Sequence, residues 1–301
     1  MIDFSTMVTE SQNSATMELD CMSALEIVRI MNQEDKKIPD AMAAALPNIA
    51  EAAECASRAI IDGGRVIYVG AGTSGRLGVL DAVECVPTFG VSREQVTAVM
   101  AGGAGAFMQA LEGAEDDAAA GVEALKDIQL SGKDFVIGIA ASGRTPYVCA
   151  ALEYASAQGC RTAALACNPD SRICSMANIP IEVIVGPEIL TGSTRLKAGT
   201  AQKMVLNMIS TAAMVLCGKV YKNLMVDVIQ TNEKLHRRAE NIVVQATGVS
   251  SDAAGTALRE AAGKVKTAVT MILANTSATE AESLLDKHHG FVRVAVDGKG
   301  Q

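Results

Sequence analysis

Val66–Val69, an apolar β-prone run, breaks into Gly70-Ala71-Gly72-Thr73-Ser74-Gly75 and continues as a helical pattern toward Glu84. This order of strand, glycine turn and helix constrains the fold most, because it recurs along the chain. Val96–Met100, Phe135–Ala140, Arg161–Ala166 and Ile179–Val185 are further apolar runs. Helical spacing follows the second over residues 107–125 and the third over 147–158, and a short polar segment separates the last two. Continuous apolar strands in βαβ alternation predict a parallel sheet covered by helices on both faces, a Rossmann-like three-layer α/β sandwich. In such sheets ligands sit at the carboxyl ends of the strands.

Two loops fall at such ends, 70–75 and Ala141-Ser142-Gly143-Arg144-Thr145-Pro146. Glycines let the backbone approach a ligand, and backbone N–H groups, hydroxyls and a helix dipole all favour an anion. Either loop alone reads equally well as an ordinary strand-to-helix turn; the pair on one sheet edge points to a phosphate. The first loop lacks the lysine of a P-loop, so nucleoside triphosphate hydrolysis is not indicated. Gly75 formally completes G-x-G-x-x-G, yet no acidic residue follows the second strand to hold a ribose, which weakens a dinucleotide reading.

Before the sheet, Ser5–Lys37 reads as a polar entry and then a helix with an apolar face of Leu25, Ile27, Val28, Ile30 and Met31. A second helix, punctuated by Pro39 and Pro47, runs to about Asp62, where Gly63 and Gly64 stop it. After the sheet, the polar loop Gly186–Thr200 opens a long helix through about Cys217, a place suited to closing over an anionic ligand. From Tyr221 the pattern is helical to the end. Gly248, Asn275 and Gly290 divide residues 232–290 into three or four short helices, a small C-terminal bundle. The predicted division is an N-terminal helical extension (1–45), a sheet domain (46–222) and a helical subdomain (223–301).

Aromatic residues make up 3% of the chain and Trp is absent, so Ala, Val, Ile, Leu and Met must fill the core. A net charge of −8 and a pI near 5.0 argue against a nucleic-acid partner. No apolar run reaches the length of a membrane helix, and Met1–Met22 lacks the features of a signal peptide. The sequence therefore predicts a soluble, cytoplasmic protein with no membrane partner. Eight cysteines without a CxxC pair read as reduced core thiols. With only His236, His288 and His289 to assist them, no metal site is predicted.

The segments GAGTSGRLGVLDAVECVPTFG (70–90), EGAEDD (112–117), GIAASGRTPYV (138–148), GPEILTGSTRLKAGTAQK (186–203) and NLMVDVIQTNEKLHRRA (223–239) carry a resemblance. In this order they resemble the N-acetylmuramic acid 6-phosphate etherases, a family of sugar isomerase (SIS) domain proteins. The likeness runs from about Thr9 to Phe291. Glucokinase regulatory proteins share the GPE segment but carry two SIS domains in a far longer chain. Ala104 stands where the family often has an acidic residue.

The resemblance implies conversion of N-acetylmuramate 6-phosphate and water to N-acetylglucosamine 6-phosphate and D-lactate, by elimination and then water addition, in cell-wall sugar recycling. Two carboxyl groups in different protonation states suffice, without metal or organic cofactor. By the same resemblance Glu84 is the acid that protonates the departing lactate oxygen and Glu115 the base at C2. Read from its neighbours alone, Glu84 is a helix-terminal surface carboxylate, or a partly buried acid with a raised pKa. Glu115 alone reads as one member of a solvated acidic helix face. Ser74, Ser142 and Thr145 are implied as phosphate ligands, with Thr73 and Arg144 beside them and Glu188 and Lys197 near the sugar; a helix-capping loop is the alternative for the last two. The resemblance also implies a homodimer whose sites use both subunits. Two rivals stay open. An aldose–ketose sugar-phosphate isomerase needs a base at C2 but no acid aimed at C3, and a non-enzymatic sugar-phosphate sensor needs neither.

Overall fold

Apolar runs rich in Val, Ile and Ala bury both faces only when paired within a covered sheet, and here they do so. In the computed structural model, which describes residues 7–229 and 233–298, they form β1 (Val66–Gly70), β2 (Val96–Met100), β3 (Phe135–Ile139), β4 (Arg161–Ala166) and β5 (Ile179–Glu182). All pairings are parallel, in the order β2-β1-β3-β4-β5. Every residue of β1 and β3 is buried, as a sheet covered on both faces requires. Five strands in a parallel sheet flanked by helices are the architecture expected from the sequence.

The chain leaves β1 toward β2 on one side and returns to β3 on the other. The strand order thus reverses between β1 and β3, and the crevice outside their carboxyl ends is the place where such sheets bind ligands. Register pairs Gly70 with Ile139, so the loops after the two strands leave the same edge side by side.

By its contacts the chain divides into two compact units, Met1–Ala82 with Glu94–Ser210, and Val83–Arg93 with Thr211–Gln301. In the first, single 3-10 turns at 8–10, 14–16 and 19–21 lead to α1 (Ala24–Asp35), whose start is fixed by a capping box between Ser23 and Glu26. Then come α2 (Lys37–Ala43) and α3 (Leu46–Ile61); the single helix expected here is two, and Gly63 in a left-handed conformation (φ 78°) follows the stop. α3 packs on β1, β3 and β5. Ile67, Val69, Val136 and Ala164 face the other way and pack with α7 (Pro146–Ala157) through Val148 and Leu152. Between these lie α4 (Gly72–Phe89), α5 (Gly105–Met108) and α6 (Ala118–Asp127); α8 (Arg172–Met176) and α9 (Lys197–Leu216) follow.

Two further expectations in this unit are corrected. The helix read over 107–125 is α5, a 3-10 turn at Ala114–Asp116 and α6, because Gln109 and Asp117 take extended conformations and Gly113 a left-handed one (φ 75°), which a continuous helix cannot contain. The apolar face of α1 is only partly covered: Ile27, Ile30 and Met31 are half-buried, Leu25 and Val28 are exposed, and the one buried residue of the helix is Glu34. At the amino ends of β1 and β3, Asp134 accepts from the backbone N–H and guanidinium of Arg65, which also donates to Ile128 O and Gln129 O. This clamp fixes the two strands in register. Buried Cys149, Cys160, Cys167 and Cys174 are core thiols, and burial pushes Cys160 up to about 11.

In the second unit, a two-stranded antiparallel pair, β6 (Val220–Tyr221) and β7 (Leu224–Met225), stands where helix was expected from Tyr221, turned by Lys222 at φ 55°. α10 (Glu233–Thr247), α11 (Ser251–Glu260), α12 (Val265–Ala274), α13 (Ala278–Lys287) and α14 (Val292–Asp297) close on a core that includes Ile242, Val243, Leu258, Val269 and Leu285. Gly248, Asn275 and Gly290 have positive φ between successive helices, as their places in the sequence suggested. Ser5 and Thr6 of the polar entry, and residues 230–232 of the stretch read as helical, lie outside the described residues. Among the described residues no helix is long and apolar enough to cross a membrane.

Candidate active site

The first loop is a close approach of strand and helix. A Cβ on Gly70 would lie 2.7 Å from Gly75 N, and one on Gly75 would lie 2.8 Å from Gly70 O. Glycine at both positions is what lets α4 begin directly off β1, with Gly72 at φ 52° making the turn. Thr73 and Ser74 therefore occupy the first turn of α4 rather than a loop before it. There the orphan N–H groups and the helix dipole face the switch point. Farther along, Asp81 is buried, accepting from Tyr68 (2.8 Å), Asn207 (2.7 Å) and Ser210 (3.1 Å), which fixes α4 to β1 and α9.

The second loop leaves β3. Gly143, at φ 70°, is packed so closely that a Cβ would lie 2.2 Å from Ser171 Cβ. Ser142 is half-buried and its hydroxyl accepts from Arg144 N at 3.3 Å. Thr145 is the N-cap residue of α7 but its side chain makes no capping bond, so its hydroxyl is not consumed by the helix. Asn168, at the carboxyl end of β4, donates to Ala141 O (3.0 Å) and Thr9 Oγ1 (2.9 Å) and accepts from Thr9 N. The amino-terminal segment is thereby held against the second loop. Thr16 Oγ1 likewise donates to Ile189 O.

Glu188 and Lys197 are interior residues, at 0% and 1% exposure. The Glu188 carboxylate accepts from the backbone N–H groups of Lys197 (3.0 Å) and Ala198 (2.9 Å), capping α9. Burial pushes its carboxyl up, against the pull of those two bonds. Lys197 Nζ lies 2.7 Å from Glu34 Oε2, while Lys37 holds the other oxygen. Gly199 brings the same helix start against α4: a Cβ there would lie 3.5 Å from Thr73 Cγ2.

The two acidic candidates are both exposed. Glu115 sits in the 3-10 turn after β2, which packs against α7, and Asp117 caps the following helix by accepting from Ala120 N. Glu84 belongs to the second unit, in the interior of α4, which continues through Pro87 to Phe89. Of the two readings of Glu84 from its neighbours, a surface carboxylate or a partly buried acid, the exposed one matches the single chain, where the adjacent Val83 is also 60% exposed. In the first unit the structure thus joins Thr73 and Ser74 with Ser142, Arg144 and Thr145 along one sheet edge. It also reveals Asn168, Thr9 and Gln202, which no local pattern marks, although Gln202 falls within the 186–203 segment. Among the described residues no group of three or more His, Cys, Asp or Glu is placed to hold a metal ion.

Residues 48–156 match the glucokinase regulatory protein N-terminal SIS domain family, and residues 122–212 match the SIS domain family. A phosphoheptose isomerase from Francisella tularensis superposes with a TM-score of 0.51 at 18% identity, over 64% of this chain and 98% of its own. A protein of Escherichia coli CFT073, solved as a ligand complex, does so at 0.51 and 17%, over 67% and 97%. Both share the fold of the sheet unit. The N-acetylmuramic acid 6-phosphate etherases of Yersinia pestis (strain Pestoides F) and Yersinia pseudotuberculosis (strain IP 31758) are each 57% identical over 290 residues, which is 96% of this chain and 98% of theirs. The chain belongs to the N-acetylmuramic acid 6-phosphate etherase family.

Proposed function

We propose that this chain cleaves the D-lactyl ether of N-acetylmuramic acid 6-phosphate, releasing D-lactate and N-acetylglucosamine 6-phosphate in the cytoplasm. The observation that carries the reading is the 57% identity to etherases along 96% of the chain. In the open-chain sugar the C1 carbonyl acidifies the C2 proton. Glu115, as carboxylate, takes that proton; the C3–O bond breaks, and Glu84, as carboxylic acid, protonates the departing lactate oxygen. Water then adds to the unsaturated aldehyde, returning a hydroxyl to C3 and a proton to C2. The sum is ether plus water giving sugar phosphate plus lactate.

The phosphate is received at the β1/β3 switch point by Ser74, Ser142 and Thr145, with Thr73, Arg144 and the first-turn N–H groups of α4 beside them. Glu188 and Lys197 border the sugar by fixing the first turn of α9. An acid and a base of the same residue type need environments that separate their pKa values, whereas Glu84 and Glu115 are both exposed in the single chain. Apolar residues lie exposed near each, Val83 beside Glu84 and Met108 (84% exposure) and Leu111 before Glu115, and α1 leaves Leu25 and Val28 uncovered. A second copy of the chain would cover such surface and withdraw water from the carboxyls. A homodimer with sites drawing on both subunits is therefore part of the proposal.

Incubation with N-acetylmuramic acid 6-phosphate followed by a D-lactate assay tests the reading. Interconversion of an aldose–ketose phosphate pair without lactate would make the chain an isomerase, and binding without turnover would make it a sensor.

A further inference from the structure

Three buried polar side-chain atoms among the described residues make no hydrogen bond, and one of them, Gln202 Nε2, stands beside the phosphate loop. Gln202 is 1% exposed, in the second turn of α9. Its Oε1 accepts from the hydroxyl of Ser74 at 3.0 Å, and Ser74 is itself buried. Two facts conflict with a finished site. With the amide in this orientation the Ser74 proton is taken up by Gln202 Oε1 rather than offered to a phosphate oxygen, and Gln202 Nε2 has no acceptor. An unmet buried donor is destabilising, and its persistence beside a ligand loop calls for a reason.

We propose that Gln202 is the positioning residue of Ser74 and that its amide turns over when a sugar phosphate binds. A half-turn of the amide exchanges O and NH2, groups of nearly equal size, and needs no added room. Nε2 then donates to Ser74 Oγ, and the freed Ser74 proton makes a charge-assisted hydrogen bond to a phosphate oxygen. Ser74 closes on Gln202 until the dianion arrives and reverses the direction of the bond. The inference rests on the phosphate reading of residues 70–75 given above.

The test uses Gln202→Leu and the isosteric Gln202→Glu, whose carboxylate can only accept and keeps the Ser74 proton. KM is read from lactate release, and inorganic phosphate is titrated as a competitive inhibitor. Both variants should raise KM and the phosphate inhibition constant by about tenfold to a hundredfold, the loss of a hydrogen bond to a charged group, with kcat near the parent value. Ser74→Ala should weaken phosphate by a similar factor, and adding Gln202→Leu to it should weaken phosphate no further, since nothing is left to orient. A residue that merely packs would lower the thermal midpoint and add its effect to Ser74→Ala. Parental phosphate affinity in folded Gln202→Glu, or additivity with Ser74→Ala, overturns the inference while leaving the loop a phosphate site. Parental affinity in Ser74→Ala removes the phosphate reading, and the inference with it.

Discussion

Replacing Lys197 by Met separates a residue that touches the sugar from one that holds the site in place. Its side chain is 2% exposed and that of Glu34 is 6%, with Nζ and Oε2 2.7 Å apart. Removing one member of a buried ion pair leaves a charge without compensation, a loss of about 3–5 kcal/mol. Lys37 remains on the other oxygen of Glu34 at 2.6 Å but is itself largely exposed, so the low end applies. A loss of about 3 kcal/mol lowers the thermal midpoint by roughly 6–12 °C. The pH dependence fixes the sign. Burial pushes the Glu34 carboxyl up, but hydrogen bonds and charge from Lys197 and Lys37 outweigh it and hold the group below its ordinary value. The stability it contributes is present above the unfolded pKa and is lost as pH falls through the folded one. The gap between parent and Lys197→Met should therefore be full at neutral pH and close below about pH 4. Glu34→Met/Lys197→Met, an apolar pair of similar volume, should recover most of the midpoint and the lactate release. Recovery of the midpoint without recovery of KM would refute the reasoning and place the Lys197 ammonium on the substrate.

Glu84→Gln and Glu115→Gln should each lower kcat for lactate release by at least about a hundredfold, the usual share of a general acid or base, with the thermal midpoint unchanged because both side chains are exposed; parental turnover in either removes that residue from the chemistry. Gly143→Ala should cost about 1–2 kcal/mol from its left-handed backbone alone, with the Ser171 clash added, and should raise KM before it lowers kcat; an unchanged KM would separate this turn from the binding site. Tyr147→Phe removes a buried hydroxyl that has no partner and whose pKa burial raises to about 12, so unfolding should show no loss and a gain of up to about 1 kcal/mol; a loss above that size would mean that the hydroxyl is satisfied in solution.

The sheet was legible because strands buried on both faces leave continuous apolar runs, and the two loops because glycine is required where α4 starts on β1 and where Gly143 meets Ser171. Other features left no such trace. Periodicity showed that α1 has an apolar face but not which face packs, and the fold buries Glu34 while leaving Leu25 and Val28 outside. The stretch 107–125 is rich in Ala, Glu and Leu, good helix formers, yet the extended Gln109 and the left-handed turn at Gly113 interrupt it. The β6–β7 turn places Lys222 at φ 55°, a conformation for which lysine gives no signal. Gln202 and Asn168 act across the sheet edge on residues 128 and 27 positions away, a separation no window of sequence can see.

The phosphate end and the acid–base end of this chemistry differ in how much one chain supplies. On the proposed reading, cradling a phosphate needs fixed donors, and the single chain fixes both loops by buried glycines, helix starts and the Asp81 and Asn168 hydrogen bonds. Acid–base chemistry needs two like carboxyls held in unlike environments, and water reaches both Glu84 and Glu115. On the proposed reading that asymmetry has to be created when substrate and a second copy displace the water, and the exposed apolar residues around each carboxyl are the surface on which this can occur. On that reading the phosphate loops could be read from residue types, because the cradle would be encoded locally, while the roles of Glu84 and Glu115 rested on resemblance, because the proton chemistry would be encoded in what comes to cover them.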